Sequence, residues 1–308
     1  MQYKYLFGPV PSRRLGISLG IDVVPYKTCN LNCIYCECGK TTNLTNERKE
    51  FFSYKEIIKE LDKFLNDRPS LDYITFSGAG EPLLYSKIDK IIDFLKNKFP
   101  QYKIAILTNG TLFHNTEIID EIKKVDLIIP SLDAVSEKIF KKINRPHKEL
   151  KIDKIIQGLI NLRKNFKGKI FLEIFFVKGI NDNNEELYKI KEVIKKIKPD
   201  KIQLNTIDRP PAEQNIYPVE IDKLIEIKNF FGDKAEIINY SHKNKTEIKN
   251  INISTILNCL ERRPLTLEDL IKITNLHVNE INKILRELEL KNKIIKIKEQ
   301  RGYFYKLK

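Results

Sequence analysis

Cys29-Asn30-Leu31-Asn32-Cys33-Ile34-Tyr35-Cys36 sets three thiols four and three residues apart on one short loop, and Cys38 follows two positions later. Five cysteines occur in 308 residues, and the fifth, Cys259, stands far from the rest, so this is a cluster and not a disulfide framework. Thiolates are the protein ligands of iron–sulfur clusters. Three of them on a four-iron cubane leave one iron open, a place for a small molecule to coordinate. Zinc is the competing reading, because it also favours grouped cysteine and Cys38 would complete four ligands. Zinc sites, however, usually pair two hooks across a longer spacer, and here all four cysteines share one loop.

Working outward from this loop, short apolar runs alternate with amphipathic stretches. Strands are predicted at Leu19–Val24, Tyr73–Phe76, Lys103–Leu107, Leu127–Ser131, Lys169–Val177 and Lys201–Leu204. Helices are predicted between them at Tyr54–Leu65, Ser86–Asn97, Thr116–Lys123, Ile152–Asn165 and Asn184–Ile197. Alternation of this kind implies an α/β fold with a parallel sheet, either doubly wound or a partial barrel, and its functional loops belong at the carboxyl ends of the strands.

The polar run NYSHKNKTEIKN, residues 239–250, has no apolar period and reads as a linker between a core at 1–238 and a second unit at 251–308. That unit has predicted helices at Ser254–Glu261, Leu267–Ile273 and Val278–Leu290, then strands at Ile294–Lys298 and Tyr303–Leu307 about a turn at Gln300–Gly302. Three helices and a hairpin make a winged helix-turn-helix. Thr266 with Asp269, and Thr274–Asn275 before the third helix, are the expected caps.

The cysteine spacing resembles that of the radical S-adenosylmethionine (SAM) superfamily, and the resemblance runs from about Phe7 to Glu213. It implies a partial (β/α)6, TIM-like barrel and one 4Fe-4S cluster on Cys29, Cys33 and Cys36, with SAM on the open iron. It also implies reductive cleavage of SAM to a 5′-deoxyadenosyl radical, and an electron donor of flavodoxin or ferredoxin type. Tyr35 is then expected near the adenine. Ser77-Gly78-Ala79-Gly80-Glu81-Pro82 resembles the loop that holds the SAM amino group, since glycine lets backbone approach a ligand and Glu81 accepts from an ammonium. Asn109, in Thr108-Asn109-Gly110, and Ser131 with Asp133 fall where superfamily members meet the methionine moiety and ribose, although Ser131 and Asp133 serve equally as helix caps. Glu173 and the Val177–Asp182 turn match the fifth-strand region, with backbone at Gly179 near the adenine, and Asn205 ends the sixth strand.

Two stretches depart from the generic pattern: Phe7–Gly16, with Arg13 and Arg14, and Asn205–Glu213, with Arg209. Together they resemble a group related to the wybutosine-type tRNA-modifying enzymes. These three arginines are either a clamp for carboxylate or phosphate or ordinary surface ion pairs.

The chain carries 55 basic and 41 acidic residues, a formal charge of +14, which favours polyanionic partners although the excess is scattered. Residues 251–308 hold eight Lys and four Arg against seven Asp or Glu. In a nucleic-acid reader the third helix would offer Asn279, Asn282, Lys283 and Arg286, and the wing Lys296, Lys298 and Arg301. Winged helices also dock proteins, so a protein partner stays open. RNA modification leads. Modification of a protein, peptide or small precursor, a SAM-sensing regulator and a zinc adaptor follow. With no apolar amino-terminal segment and no membrane-length apolar run, a soluble, cytoplasmic protein without membrane association is expected.

Overall fold

The computed structural model describes residues 3–238, 253–274, 276–299 and 301–308. The expected linker at 239–250 and two residues of the signals above, Asn275 and Gln300, lie outside the described residues. In chain order the core runs β1 (Leu6–Ser12), β2 (Gly16–Ile21), a short parallel pair β3 (Thr28–Cys29) and β4 (Asn43–Leu44), α1 (Tyr54–Leu65), β5 (Tyr73–Phe76), α2 (Ile88–Lys98), β6 (Lys103–Thr108), α3 (Thr116–Ile122) and β7 (Leu127–Pro130). It continues through α4 (Glu137–Asn144), α5 (Ile152–Asn165), β8 (Lys169–Phe176), α6 (Asn184–Ile197), β9 (Lys201–Thr206), α7 (Ile221–Phe231) and β10 (Ala235–Ile237).

One eight-stranded sheet has the order β1-β2-β5-β6-β7-β8-β9-β10. It is parallel from β2 to β10, and β1 pairs antiparallel with β2. The end strands do not pair with each other, so the barrel stays open. Successive parallel strands need crossovers, and the helices supply them. In β7 all four residues are buried, as expected where helices cover one face and the barrel fills the other. α2 shows how the helices attach: Ile88, Ile91, Ile92 and Leu95 fall on one face and are buried, each contributing about 1.5–3 kcal/mol of apolar burial.

The carboxyl-terminal unit comprises α8 (Ile253–Arg262), β11 (Leu265–Thr266), α9 (Leu267–Thr274), α10 (Val278–Leu290), β12 (Ile294–Glu299) and β13 (Gly302–Leu307), with sheet order β11-β13-β12. Thr266 and Asp269 cap α9 reciprocally, as expected. At α10 the cap is His277, paired with Glu280 in a capping box. The expected Thr274 instead donates to the Leu270 carbonyl at 2.7 Å, closing α9 rather than opening α10.

This unit docks on β1. Val10 of β1 joins its apolar core beside Ile256, Leu260 and Ile273. Phe7 lies flat on Gly20, where a Cβ would come within 2.0 Å of the ring, and the Arg262 guanidinium sits 4.6 Å from the ring centroid on α8. Only glycine permits that stack. Arg262 also pairs with Asp22 at 3.5 Å, and Arg301 of the wing pairs with Asp208 of the core at 3.0 Å.

Candidate active site

The site forms where the loops after β2, β5, β6 and β7 converge. Gly80 is the hinge of this meeting: its Cβ would lie 2.2 Å from the Thr28 carbonyl oxygen, so the 77–82 loop rests against the cysteine loop with no room for a side chain. Backbone bonds on either side lock the two together, Lys27 N–H to Ala79 O at 2.8 Å and Glu81 N–H to Thr28 O at 3.0 Å. Gly78 is equally tight against Asp22, and Pro82 begins a single 3-10 turn.

Each of the three expected ligand sulfurs has a hydrogen-bond donor. Cys29 accepts from Leu31 N–H at 3.4 Å and from Asn109 Nδ2 at 3.6 Å, Cys33 from Asn144 Nδ2 at 3.4 Å, and Cys36 from Lys27 Nζ at 3.0 Å. Burial pushes the Cys29 thiol up to about 12 and that of Cys33 well above its ordinary value. Cys36 moves the other way, because Cys38 donates to it and the Lys27 ammonium stands beside it. Among the described residues no group of three or more His, Cys, Asp or Glu is arranged to hold a single metal ion. The donor set fits a four-iron cluster: three thiols from one loop, with N–H groups aimed at sulfurs that would become anionic. Cys38 reaches toward the Gly78 carbonyl at 4.0 Å.

Glu81 is buried and spends its oxygens on the scaffold, accepting from Leu83 N–H, Thr108 Oγ1 and Asn109 N–H at 3.0, 2.7 and 2.7 Å. Burial lifts its carboxyl to about 7. Asp133 is similar: it accepts from Tyr35 Oη, Asn144 Nδ2 and Phe175 N–H, and burial holds it at about 6. Neither carboxylate is idle, so both act on the loops they tie together. Tyr35 stacks on Phe175 with ring centroids 3.8 Å apart. Asn109 also bonds Asn30 Oδ1 at 2.7 Å.

A cavity of about 300 Å³ opens beside these loops, lined by Tyr35, Cys36, Gly78, Ser131, Glu173 and Asn205 among others. Asn205 donates to Glu173 at 2.9 Å, and Arg14 pairs with the same carboxylate. Gly179 (φ +71°) lies in the turn after β8, outside this lining, with its N–H on Asp182 at 2.8 Å.

The expected arginine clamp is largely committed elsewhere. Arg209 is buried against Glu37 at 2.6 Å, and Arg13 reaches Glu37 at 3.3 Å and Asp208 at 3.7 Å. Burial opposes ionisation of Glu37, but Arg209 and Arg13 overcome it and hold the carboxyl at about 2. Arg301, expected to face phosphate from the wing, is bound to Asp208 and Asp269 instead. Asn279, Asn282, Lys283 and Arg286 are exposed together on α10, and Lys296 and Lys298 are exposed on β12. Sequence reasoning missed Lys27, Glu37, Asp22 and the residues Cys259 and Arg262 of α8 and Arg263 just after it, which complete the cavity wall. None sits in a motif; only the docking of α8 brings the last three to the barrel.

Residues 23–190 match the Radical SAM superfamily. The chain belongs to this superfamily of enzymes. Residues 254–296 match the DprA winged helix domain. The radical SAM chain is 35% identical over 309 residues to UPF0026 protein MJ1312 of Methanocaldococcus jannaschii, covering 97% of this chain and 94% of that one. It is 38% identical over 298 residues to a protein of Brachyspira hyodysenteriae named GTPase Obg, covering 96% of this chain but 44% of that longer protein. A probable dual-specificity RNA methyltransferase RlmN of Flavobacterium psychrophilum is 29% identical over 194 residues, covering 60% of this chain and 55% of that one. Among solved structures, a radical SAM methyltransferase from Sphaerobacter thermophilus superposes with a TM-score of 0.56 at 14% identity, covering 71% of this chain and 65% of that one. TYW1 with a lysine-pyruvate adduct bound superposes with a TM-score of 0.51 at 20% identity, covering 73% and 75%. Radical SAM enzymes use SAM with a 4Fe-4S cluster and need an electron donor. No helix among the described residues is long and apolar enough to cross a membrane.

Proposed function

We propose that the chain cleaves SAM reductively at one cluster held by Cys29, Cys33 and Cys36, and uses the resulting radical to take hydrogen from an RNA nucleotide. The division of labour is a barrel at 1–238 and a winged helix at 251–308. The observation that carries the reading is the meeting of the cysteine loop, the 77–82 loop and the Asn109 loop through Gly80 and Glu81. The bound cluster would supply the electron and an iron for the SAM amino and carboxylate groups. The protein's own part is positioning: Lys27 offsets negative charge at Cys36, Glu81 and Asp133 fix the loops, and Tyr35 with Phe175 offers an aromatic face for the adenine.

RNA is favoured as substrate by the exposed Asn282, Lys283 and Arg286 on α10 and by the likeness to a protein named an RNA methyltransferase. A second reading, a small anionic precursor, draws on the docking of α8 over a cavity of about 300 Å³. Anaerobically reconstituted and reduced protein is expected to release 5′-deoxyadenosine and methionine from SAM without substrate, measured by product chromatography. A fully loaded cluster that yields neither would overturn the SAM chemistry. RNA copurifying under the same conditions, identified by sequencing, tests the substrate; its absence beside a copurifying small anion would favour the second reading.

A further inference from the structure

The cavity is unevenly charged. Four arginines line it, Arg13, Arg14, Arg262 and Arg263, against two carboxylates, Glu37 and Glu173. Neither cofactor accounts for the excess. SAM carries a sulfonium, an ammonium and a carboxylate and is a net cation, while a cluster on three thiolates is a net anion; bound side by side, they offset each other. Three of the four arginines are paired within the fold: Arg13 with Glu37, Arg14 with Glu173, and Arg262 with Asp22. Arg263 is different. Its backbone N–H closes the end of α8 on the Cys259 carbonyl, and its guanidinium has no hydrogen-bond or ion-pair partner among the described residues. Arg14 contributes a second open donor, because its Nε is buried without an acceptor. Arg263 keeps its guanidinium half-buried beside the cavity and adds to the field at Glu37 without pairing with it, while the Arg14 Nε is an N–H that no protein acceptor answers and is costly until a ligand does.

We infer that Arg263 of the winged helix and Arg14 of the barrel hairpin form an oxyanion seat, and that it holds a phosphate of the substrate. This rests on the proposed radical SAM reading and deepens it, since the appended domain then supplies part of the substrate pocket as well as an outer reading face. Phosphate suits the seat because guanidinium groups meet its oxygens with paired donors. One seat serves two sources of that group, a free nucleotide and a nucleotide within RNA.

The test is calorimetric titration of the full-length, cluster-loaded protein with three probes: inorganic phosphate, 5′-AMP and a short single-stranded oligoribonucleotide. Arg263→Gln is expected to weaken phosphate and 5′-AMP roughly 10- to 100-fold, the range for a charged hydrogen-bonded contact. Arg263→Lys keeps the charge but loses the paired donors and is expected to weaken phosphate binding roughly 10-fold, the cost of one charged hydrogen bond, so it carries the comparison if the Gln variant unfolds. Equal affinity for phosphate in the wild-type chain and the folded Gln variant overturns the seat, as does a wild-type chain that binds none of the three probes. Oligoribonucleotide binding that depends on Arg263 identifies RNA as the source, and dependence seen with 5′-AMP alone identifies a free nucleotide. Absence of 5′-deoxyadenosine in a chain that still binds phosphate through Arg263 would reject the radical reading and leave the seat standing.

Discussion

Gly80→Ala is the sharpest probe of how the site is built. The new Cβ would fall 2.2 Å from the Thr28 carbonyl oxygen and 2.7 Å from Val24 Cγ2, and the first neighbour is backbone that cannot rotate away. The 77–82 loop must therefore retreat by about 1 Å to restore van der Waals contact. That movement stretches the flanking bonds, 2.8 Å from Lys27 N–H to Ala79 O and 3.0 Å from Glu81 N–H to Thr28 O, beyond hydrogen-bonding range. Two lost bonds at about 1 kcal/mol each, with overpacking of about 1–3 kcal/mol, give a destabilisation of about 3–5 kcal/mol. For a chain of this size that lowers the melting midpoint by about 6–15 °C, measured by differential scanning fluorimetry. Because the same loop orients Glu81 toward Asn109, substrate-free formation of 5′-deoxyadenosine should fall about 100-fold, the cost of a misplacement of this size. Gly179→Ala is the control: a Cβ there meets nothing within 4 Å, and the cost is limited to the strain of its positive φ, about 1 kcal/mol. A Gly80→Ala protein that melts, loads iron and cleaves SAM like the wild type would refute the packing argument.

Three further outcomes are expected. Cys29→Ala should lose the cluster while Cys38→Ala keeps nearly full iron content by colorimetric assay; the reverse pattern would reassign the ligands. If α10 reads RNA, Lys283→Ala with Arg286→Ala should flatten the salt dependence of binding by about 1.4 log units per log unit of salt, about 0.7 for each phosphate contact removed; an unchanged slope would move the interface elsewhere. Burial raises Asp22 from its ordinary 3.8 to about 6 despite Arg262, so the folded state holds this proton more tightly than the unfolded chain. Its contribution is therefore fully present below pH 4 and is lost as pH rises through 6, by up to about 3 kcal/mol. Asp22→Asn should remove that part of the decline in urea-unfolding free energy between pH 4 and 6.

The strands and helices that carry strong periodicity were legible in the sequence: α1, α5, α6 and α10 begin and end as expected, because long amphipathic faces announce themselves. α4 escaped because eight residues bury only Phe140, Ile143 and Asn144, too few to show a period. β1 escaped because Gly8, Pro9 and Pro11 read as turn residues, and a strand at a sheet edge tolerates proline where an inner one does not. In the site, residues bound to backbone by local motifs, such as Gly80 and Glu81, could be found from spacing. The partners of Arg13, Arg209 and Arg301 could not, because Glu37 and Asp208 meet Arg13 and Arg209 only once the barrel has folded, and Arg301 meets Asp269 within the winged helix and Asp208 only when that unit docks. An arginine in a sequence gives no sign of whether its carboxylate is already waiting in the fold.

The docking of α8 on β1 also governs what happens to a shortened chain. Proline at positions 9 and 11 withholds two backbone N–H groups from the outer edge of the sheet, so a protein ending at residue 238 would present an edge ill suited to recruiting a neighbour's strand. What it would present is side chains: Phe7 and Val10, now covered by Arg262 and the apolar wall of the winged helix, would face water as an adhesive patch. Its self-association should therefore be curable by Phe7→Ser and Val10→Thr, with no need to break up a strand.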